Sequence, residues 1–378
     1  MSRTTHVPRR RRVRRLALAS ALVPATLAAT VLPGAAQAAT LQMTGSTIQY
    51  QAAANETNGL RIAKDATGAT VLHDVVPITE TSPNCNNIDS NRVRCVKGAT
   101  LHASLGNMND NVFTEIAFPI TVDAGSGDDL YLGGFAQGVS EVRYFGNAGR
   151  DTADYRHASA GVRVNKNGGA SDGRLGDRDN ISSDVENLVG SRFNDTLEGS
   201  STLQFERYDG LAGDDTLTGL GGPDIFEAGT APDGADRIFG GTDGSADTMT
   251  YQKRSVRVEV TSNLFDNDDG QAGERDTVRE METLIGGSAG DKLAVSGAST
   301  TPMTLIGGRG GDELVGGAVN DLLIPQEGAD RVRANGGDDT IGAADRELDT
   351  LFCGDGTDTA NRDIREQEVL SCEAGFLQ

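Results

Sequence analysis

The sequence predicts an all-β chain: an N-terminal β-hairpin/sandwich-like module, then a right-handed parallel β-roll, that is, a solenoid with insertions. Three observations predict it. Near the C-terminus an aspartate recurs every nine residues, at Asp312, Asp321, Asp330 and Asp339, each followed two residues later by Leu314, Leu323, Val332 or Ile341. Glycine reaches 49 of 378 residues while aromatics are 4% with no Trp, too little bulk for an ordinary globular core of this length. Stacked coils need less, because each buries its few hydrophobes against the next. The segment ahead of the repeats alternates apolar and polar residues around short turns, which is the period of a strand.

The repeat is the most specific element. Gly307–Val315 reads GGRGGDELV and matches G-G-x-G-x-D-x-U-x, with U a large apolar residue, at every fixed position. GGAVNDLLI (316–324), PQEGADRVR (325–333) and ANGGDDTIG (334–342) are looser but keep acid and hydrophobe in register. Gly308 and Gly310 supply the bend, since glycine reaches positive φ without steric cost. Two units make one coil, which places residues about 18 apart above one another on strands roughly 4.8 Å apart. Asp312 then pairs with Asp330 on one edge, and Asp321 with Asp339 on the other. An ion midway between such a pair sits about 2.4 Å from each, inside the range Ca²⁺ prefers, with turn carbonyls as further ligands. Without the ion, carboxylates about 5 Å apart repel by roughly 3 kcal/mol at an effective dielectric of 20. Gly/Asp-rich composition alone would equally describe a solvated linker; the in-register hydrophobe argues against it.

At the N-terminus, six arginines within residues 9–15 precede an apolar stretch, Leu16 to Leu32, and Ala36-Gln37-Ala38 offers a cleavage site. Residues 1–38 therefore read as an export signal, with an uncleaved anchor as the alternative and Arg14-Arg15 faintly resembling a twin-arginine signal. Removing them removes seven Arg and no acid, which leaves 27 basic and 55 acidic residues, net −28. So acidic a chain attracts cations rather than nucleic acid or an anionic membrane surface, and no other stretch is apolar enough to span a bilayer. In an exported protein the local pairs Cys85/Cys95 and Cys353/Cys372 read as disulfides rather than metal ligands.

Residues 39–104 form the N-terminal β module, with hairpins over 41–51, turning at Gly45-Ser46, and 59–75, turning at Asp65–Gly68. The repeat register starts weakly at 106–110 and is clear at AGSGDDLYL (124–132) and GNAGRDTAD (146–154). A longer duplication follows: DTADY, GVRV, DGRLGDRD, VENLVGS and NDTL (151–197) recur about 96 residues later as DTMTY, VRVEV, DGQAGERD, METLIGGS and GDKL (247–293). This divides the solenoid into a first segment, 105–246, and a second, 247–378, each with an insertion. The two DGxxGxRD stretches read as solvated turns or, alternatively, as ion-binding loops. At the end, CGDGTDTAN (353–361) and Cys372 suggest a disulfide cap over an otherwise raw strand edge.

From about 105 to 361 the chain resembles the hemolysin-type (RTX) calcium-binding repeat proteins, most clearly at 124–132, 210–227 and 307–342. The resemblance implies a parallel β-roll that binds several Ca²⁺ ions. Carried over residue by residue, it implicates Asp129, Asp215, Asp224, Asp312, Asp321, Asp330, Asp339 and Asp358, and less directly Asp151, Asp195, Asp236, Asp247 and Asp291. Val319 and Pro325-Gln326 depart from the repeat, and the spacing breaks to 12 between Asp224 and Asp236. Family members often attach such repeats to a catalytic domain, but His73, His102 and His157 stand in unrelated contexts without HExxH or GxSxG. The expected function is a secreted, non-enzymatic Ca²⁺-binding structural or interaction protein with an unidentified extracellular protein or polysaccharide partner. A Ca²⁺-dependent lyase or epimerase on acidic polysaccharide, or a cell-surface adhesin, are the alternatives.

Overall fold

The computed structural model describes residues 38–96, 98–136, 138–202, 204–262, 268–297, 299–362, 368–370, 372 and 374–377. The expected export signal lies outside the described residues apart from Ala38. The described chain is built of strands and turns, with no helix, and most strand pairs are parallel.

The coils flatten into two faces. One face is a single ladder that begins antiparallel, with Cys85–Asn87, Arg92–Cys95, Thr70–His73 and Gly59–Lys64 side by side. From Gly59–Lys64 onward it is parallel, through Asn111–Thr114 and Leu130–Leu132 to Ala374–Leu377. The opposite face is divided among three sheets of seven, six and seven strands. Both hairpins expected before residue 104 form, with Thr44 paired to Thr47 and Lys64 to Thr70. Their strands also enter the solenoid: Thr47–Gln51 lies parallel to Thr100–Ser104, which lies parallel to Pro119–Ser126. The sheets thus run without interruption across residues 104 and 105.

The duplicated insertions lie where the second face changes sheets. Val162–Asn165 opens the six-stranded sheet and turns back through an antiparallel pairing with Gly173–Arg174. The chain then places Asn180–Ile181 against Glu141–Ala148, closing the sheet before it. The second copy repeats the manoeuvre, with Val258–Ser262 opening the last sheet and Thr277–Arg279 closing the middle one.

An 18-residue coil holds through the C-terminal tract, where Leu314 pairs with Val332 and Leu323 with Ile341. Many other coils are longer, because their turns are: Leu197 pairs with Leu217 and Leu217 with Ile238. Among the described side chains, the inward positions of the strands make one thin core. Leu314, Leu323, Val332 and Ile341 are all fully buried, and so are all six tyrosines. Cys85 bridges Cys95 and Cys353 bridges Cys372, the latter tying the last coil to the strand Thr350–Asp355.

Candidate metal site: two columns of buried carboxylates

Each repeat aspartate sits immediately before, or at the start of, a strand, where the chain enters a face. Those leading into the long ladder form one column along one edge; those leading into the opposite face form a second column. Within a column the repeat aspartates other than Asp224 share one contact: Oδ1 accepts the backbone N–H of the equivalent residue one coil earlier. On the first edge Asp129 takes the amide of Asp110 (2.7 Å), Asp151 that of Asp129 (2.9 Å), Asp321 that of Met303 (2.8 Å) and Asp339 that of Asp321 (2.7 Å). Asp247 takes that of Asp224 (2.9 Å) and Asp358 that of Asp339 (2.9 Å). On the second edge Asp215 takes the amide of Asp195 (2.7 Å), Asp236 that of Asp215 (2.8 Å), Asp312 that of Asp291 (2.7 Å) and Asp330 that of Asp312 (2.7 Å). The irregular step of 12 between Asp224 and Asp236 is therefore a change of edge, not a break in either column.

The second carboxylate oxygen divides the aspartates into two kinds. In Asp195, Asp291 and Asp321 it accepts the amide of the residue four positions earlier, Ser191, Gly287 (2.6 Å) or Gly317 (2.6 Å). In Asp110, Asp129, Asp151, Asp215, Asp312, Asp330 and Asp339 it is buried and has no hydrogen-bond partner. Asp224 has neither oxygen bonded. A buried acceptor left unpaired costs about 1–3 kcal/mol, and more when charged. Burial accordingly pushes these carboxyls up: Asp110, Asp151, Asp330 and Asp339 to about 7, Asp312 to about 6 and Asp215 to about 8. Asp224 rises to about 9, by burial first and then by the charge of Glu206.

The turn glycines fix what surrounds those oxygens. A Cβ on Gly307 would lie within 2.6 Å of both the Asp312 carboxylate and the Pro325 carbonyl of the next coil. Those two oxygens are therefore at most about 5 Å apart, a gap that one ion with contacts of roughly 2.3–2.6 Å can bridge. Gly219 holds the Asp224 carboxylate and the Gly240 carbonyl in the same relation. Gly308 and Gly310 have φ of 112° and 118°, and their Cα atoms face the backbone of the preceding coil at Gly287 and at Ala289–Gly290. Units that lack the second glycine keep its left-handed turn, with Leu211 at 72°, Leu220 at 75°, Gln326 at 74° and Asn335 at 75°.

No group of three or more His, Cys, Asp or Glu side chains able to hold a metal gathers among the described residues. A cation here would take one carboxylate oxygen per coil and fill its shell from main-chain oxygens, which suits a hard ion such as Ca²⁺ and not zinc. Some turn carbonyls expected to be free are already engaged between coils: Gly106 accepts from Ser126 (3.0 Å) and Gly287 from Arg309 (3.2 Å).

Sequence reading missed several members of this system. Asp110 belongs to the first column, yet its unit, GNMND, is barely recognisable. Where an asparagine precedes the repeat aspartate it makes a reverse clamp, with Asn109, Asn194 and Asn320 accepting the amides of Asp128 (3.0 Å), Asp214 (3.1 Å) and Asp338 (2.8 Å) one coil later. The Asn-Asp and Asp-Asp doublets were the available signal. The DGxxGxRD stretches are hairpins with an exposed turn at the tip and buried acids at the base. Asp172 and Asp269 are buried, each accepting two amides across its hairpin, from Asn165 and Ile181 (both 2.8 Å) or Thr261 (2.7 Å) and Val278 (2.9 Å). Each copy buries an arginine contact on the equivalent acid: Arg174 meets Asp177 in the first, Arg254 meets Glu274 in the second. His73, His102 and His157 lie on separate, exposed positions.

No protein-family model matches the chain, and no curated protein matches it.

Proposed function

We propose that this chain is a secreted calcium-binding repeat protein of the hemolysin (RTX) type, in which Ca²⁺ binds between coils against the repeat aspartates and stabilises the solenoid. Its role on this reading is structural or interactive, not enzymatic. The observation that carries the reading is the set of buried, unpartnered Oδ2 atoms on Asp110, Asp129, Asp151, Asp215, Asp312, Asp330 and Asp339. An ordinary folded chain pairs such atoms. An oxygen-seeking cation would pair them, and a chain of net charge −21 in full, or −28 without residues 1–38, attracts one. Asp236, Asp321 and Asp358 belong to the same columns and help align the coils. Support for export comes from the arginine-rich, apolar leader and from two disulfides, which persist in oxidising compartments.

The test is direct. Titrating Ca²⁺ into chelated protein should give saturable binding of several ions by calorimetry, with a gain of β-structure in 307–361 in the roughly 0.1–1 mM range of extracellular modules. A circular dichroism spectrum and unfolding midpoint indifferent to chelator would refute the reading.

A further inference from the structure

One position in the first column carries its own cation. Glu206 stands at the acid position of its coil, opposite Asp224 in the ladder. Its side chain is fully buried, and it does not take the amide of the preceding coil as the repeat aspartates do. Instead it accepts the Ser200 hydroxyl (2.8 Å), the Ser200 amide (3.1 Å) and the Tyr208 hydroxyl, and it pairs with the Lys166 ammonium at 2.5 Å. Lys166 arrives from the insertion, just beyond Val162–Asn165, and its ammonium has no exposure to solvent. Its other contact is the Val185 carbonyl at 2.5 Å. An ammonium held by a carboxylate and a main-chain carbonyl, beside the unbonded Asp224 carboxylate, uses the kinds of oxygen a bound metal would use.

The internal duplication supplies a comparison. Val162 and Val258 occupy equivalent places, each donating its amide to the repeat aspartate of the next coil in its sheet, Asp195 or Asp291. Lys166 then corresponds to Ser262, Glu206 to Met303, and Asp224 to Asp321. The second copy thus lacks both the lysine and the glutamate. In it Asp321 is fully bonded, by the amides of Met303 (2.8 Å) and Gly317 (2.6 Å), whereas Asp224 is bonded by neither oxygen. Where the extra carboxylate is present, so is the ammonium.

We propose that the Lys166 ammonium is a built-in replacement for a bound cation at the Glu206–Asp224 step, and that removing it converts this step into a divalent-cation site. The inference rests on reading the columns as cation sites, and it adds that the middle of the solenoid holds together there without metal. The test uses full-length mature protein bearing Lys166→Met, with unfolding midpoints measured in chelator and in millimolar Ca²⁺, and bound Ca²⁺ counted by equilibrium dialysis. Lys166→Met should lower the midpoint by roughly 5–15 °C in chelator, because it strands a buried carboxylate. Ca²⁺ should restore it, with one more ion bound than by wild type. The double variant Lys166→Met/Glu206→Met, which copies Ser262 and Met303 in lacking the pair, should recover in chelator and bind no additional ion. Equal destabilisation with and without Ca²⁺, or no additional ion, would overturn the proposal. Should Lys166→Met fail to fold in chelator, refolding it in Ca²⁺ remains decisive. Lys166→Gln, which keeps a donor toward Val185, is the second variant, and failure of both to fold at saturating Ca²⁺ also overturns it. Wild-type Ca²⁺ binding is read in the same dialysis: its absence defeats the calcium reading of the repeats, while a gain on removing Lys166 still reports on this step alone.

Discussion

Asp312 separates two roles that repeat carboxylates can have, and Asn and Ala replacements at this position should behave differently. Its Oδ1 holds the Asp291 amide at 2.7 Å, and its Oδ2 is buried without a partner near the Pro325 carbonyl. Burial pushes its carboxyl up to about 6, so at about pH 8 the folded chain holds an ionised group that it disfavours. Discounted for partial screening by solvent, that is a cost on the order of 1–3 kcal/mol in the absence of metal. Asp312→Asn keeps the acceptor for Asp291, removes the charge and turns a donor toward Pro325. In chelator it should be more stable than wild type, by about 1–3 kcal/mol. Asp312→Ala also removes the charge but leaves the buried Asp291 amide unpaired, which costs about 1–3 kcal/mol, so it should fall close to wild type. In Ca²⁺ the order reverses, because only wild type offers a carboxylate at this step. Urea unfolding followed by circular dichroism, in chelator and in millimolar Ca²⁺, reads all of this. If Asn is no more stable than Ala in chelator, the carboxylate has a protein partner after all. If Asn keeps the full response to Ca²⁺, Asp312 is not a ligand.

Metal-free protein should lose stability as pH rises. The raised carboxyls hold protons in the folded chain that the unfolded chain has released, so their contribution falls from the ordinary carboxylate range through about 7 for most of them, and on to about 8 for Asp215 and about 9 for Asp224. Thermal midpoints in chelator that climb from pH 5 to pH 8 would contradict this. Gln326→Gly should stabilise by about 1 kcal/mol in urea unfolding, since an exposed side chain is held there at φ 74°. Gly310→Ala should destabilise by at least about 2 kcal/mol, because the new Cβ meets the backbone of Ala289 and Gly290 at a φ of 118°. Removing the Cys353–Cys372 bridge, which closes a loop of 19 residues, should cost about 3 kcal/mol and speed hydrogen exchange first in the last coils.

Much of the architecture follows from local pattern. The register of Asp312 with Asp330 and of Asp321 with Asp339 could be read from a nine-residue period, because two units complete one coil and side chains on equivalent positions must stack. The hairpins turning at Gly45-Ser46 and Asp65–Gly68 and the two cysteine pairs were legible for the same reason: each depends on residues close in sequence. What the second carboxylate oxygen meets was not legible. Asp312 and Asp321 stand in near-identical units, GGRGGD and GGAVND, yet only Asp321 receives an amide from the residue four positions before it. That difference depends on how each turn settles against the coils above and below, whose lengths vary along the chain. Lys166 was equally hidden. It lies 40 residues from Glu206 and 19 from Val185, and it meets them only because the insertion carries the chain from one sheet of the second face to the next. Sequence alone determined that the chain is a solenoid with an acid at each turn. Only the stacking of unequal coils decided which acids find a proton donor, which find an ammonium, and which are left facing a gap that a cation could fill.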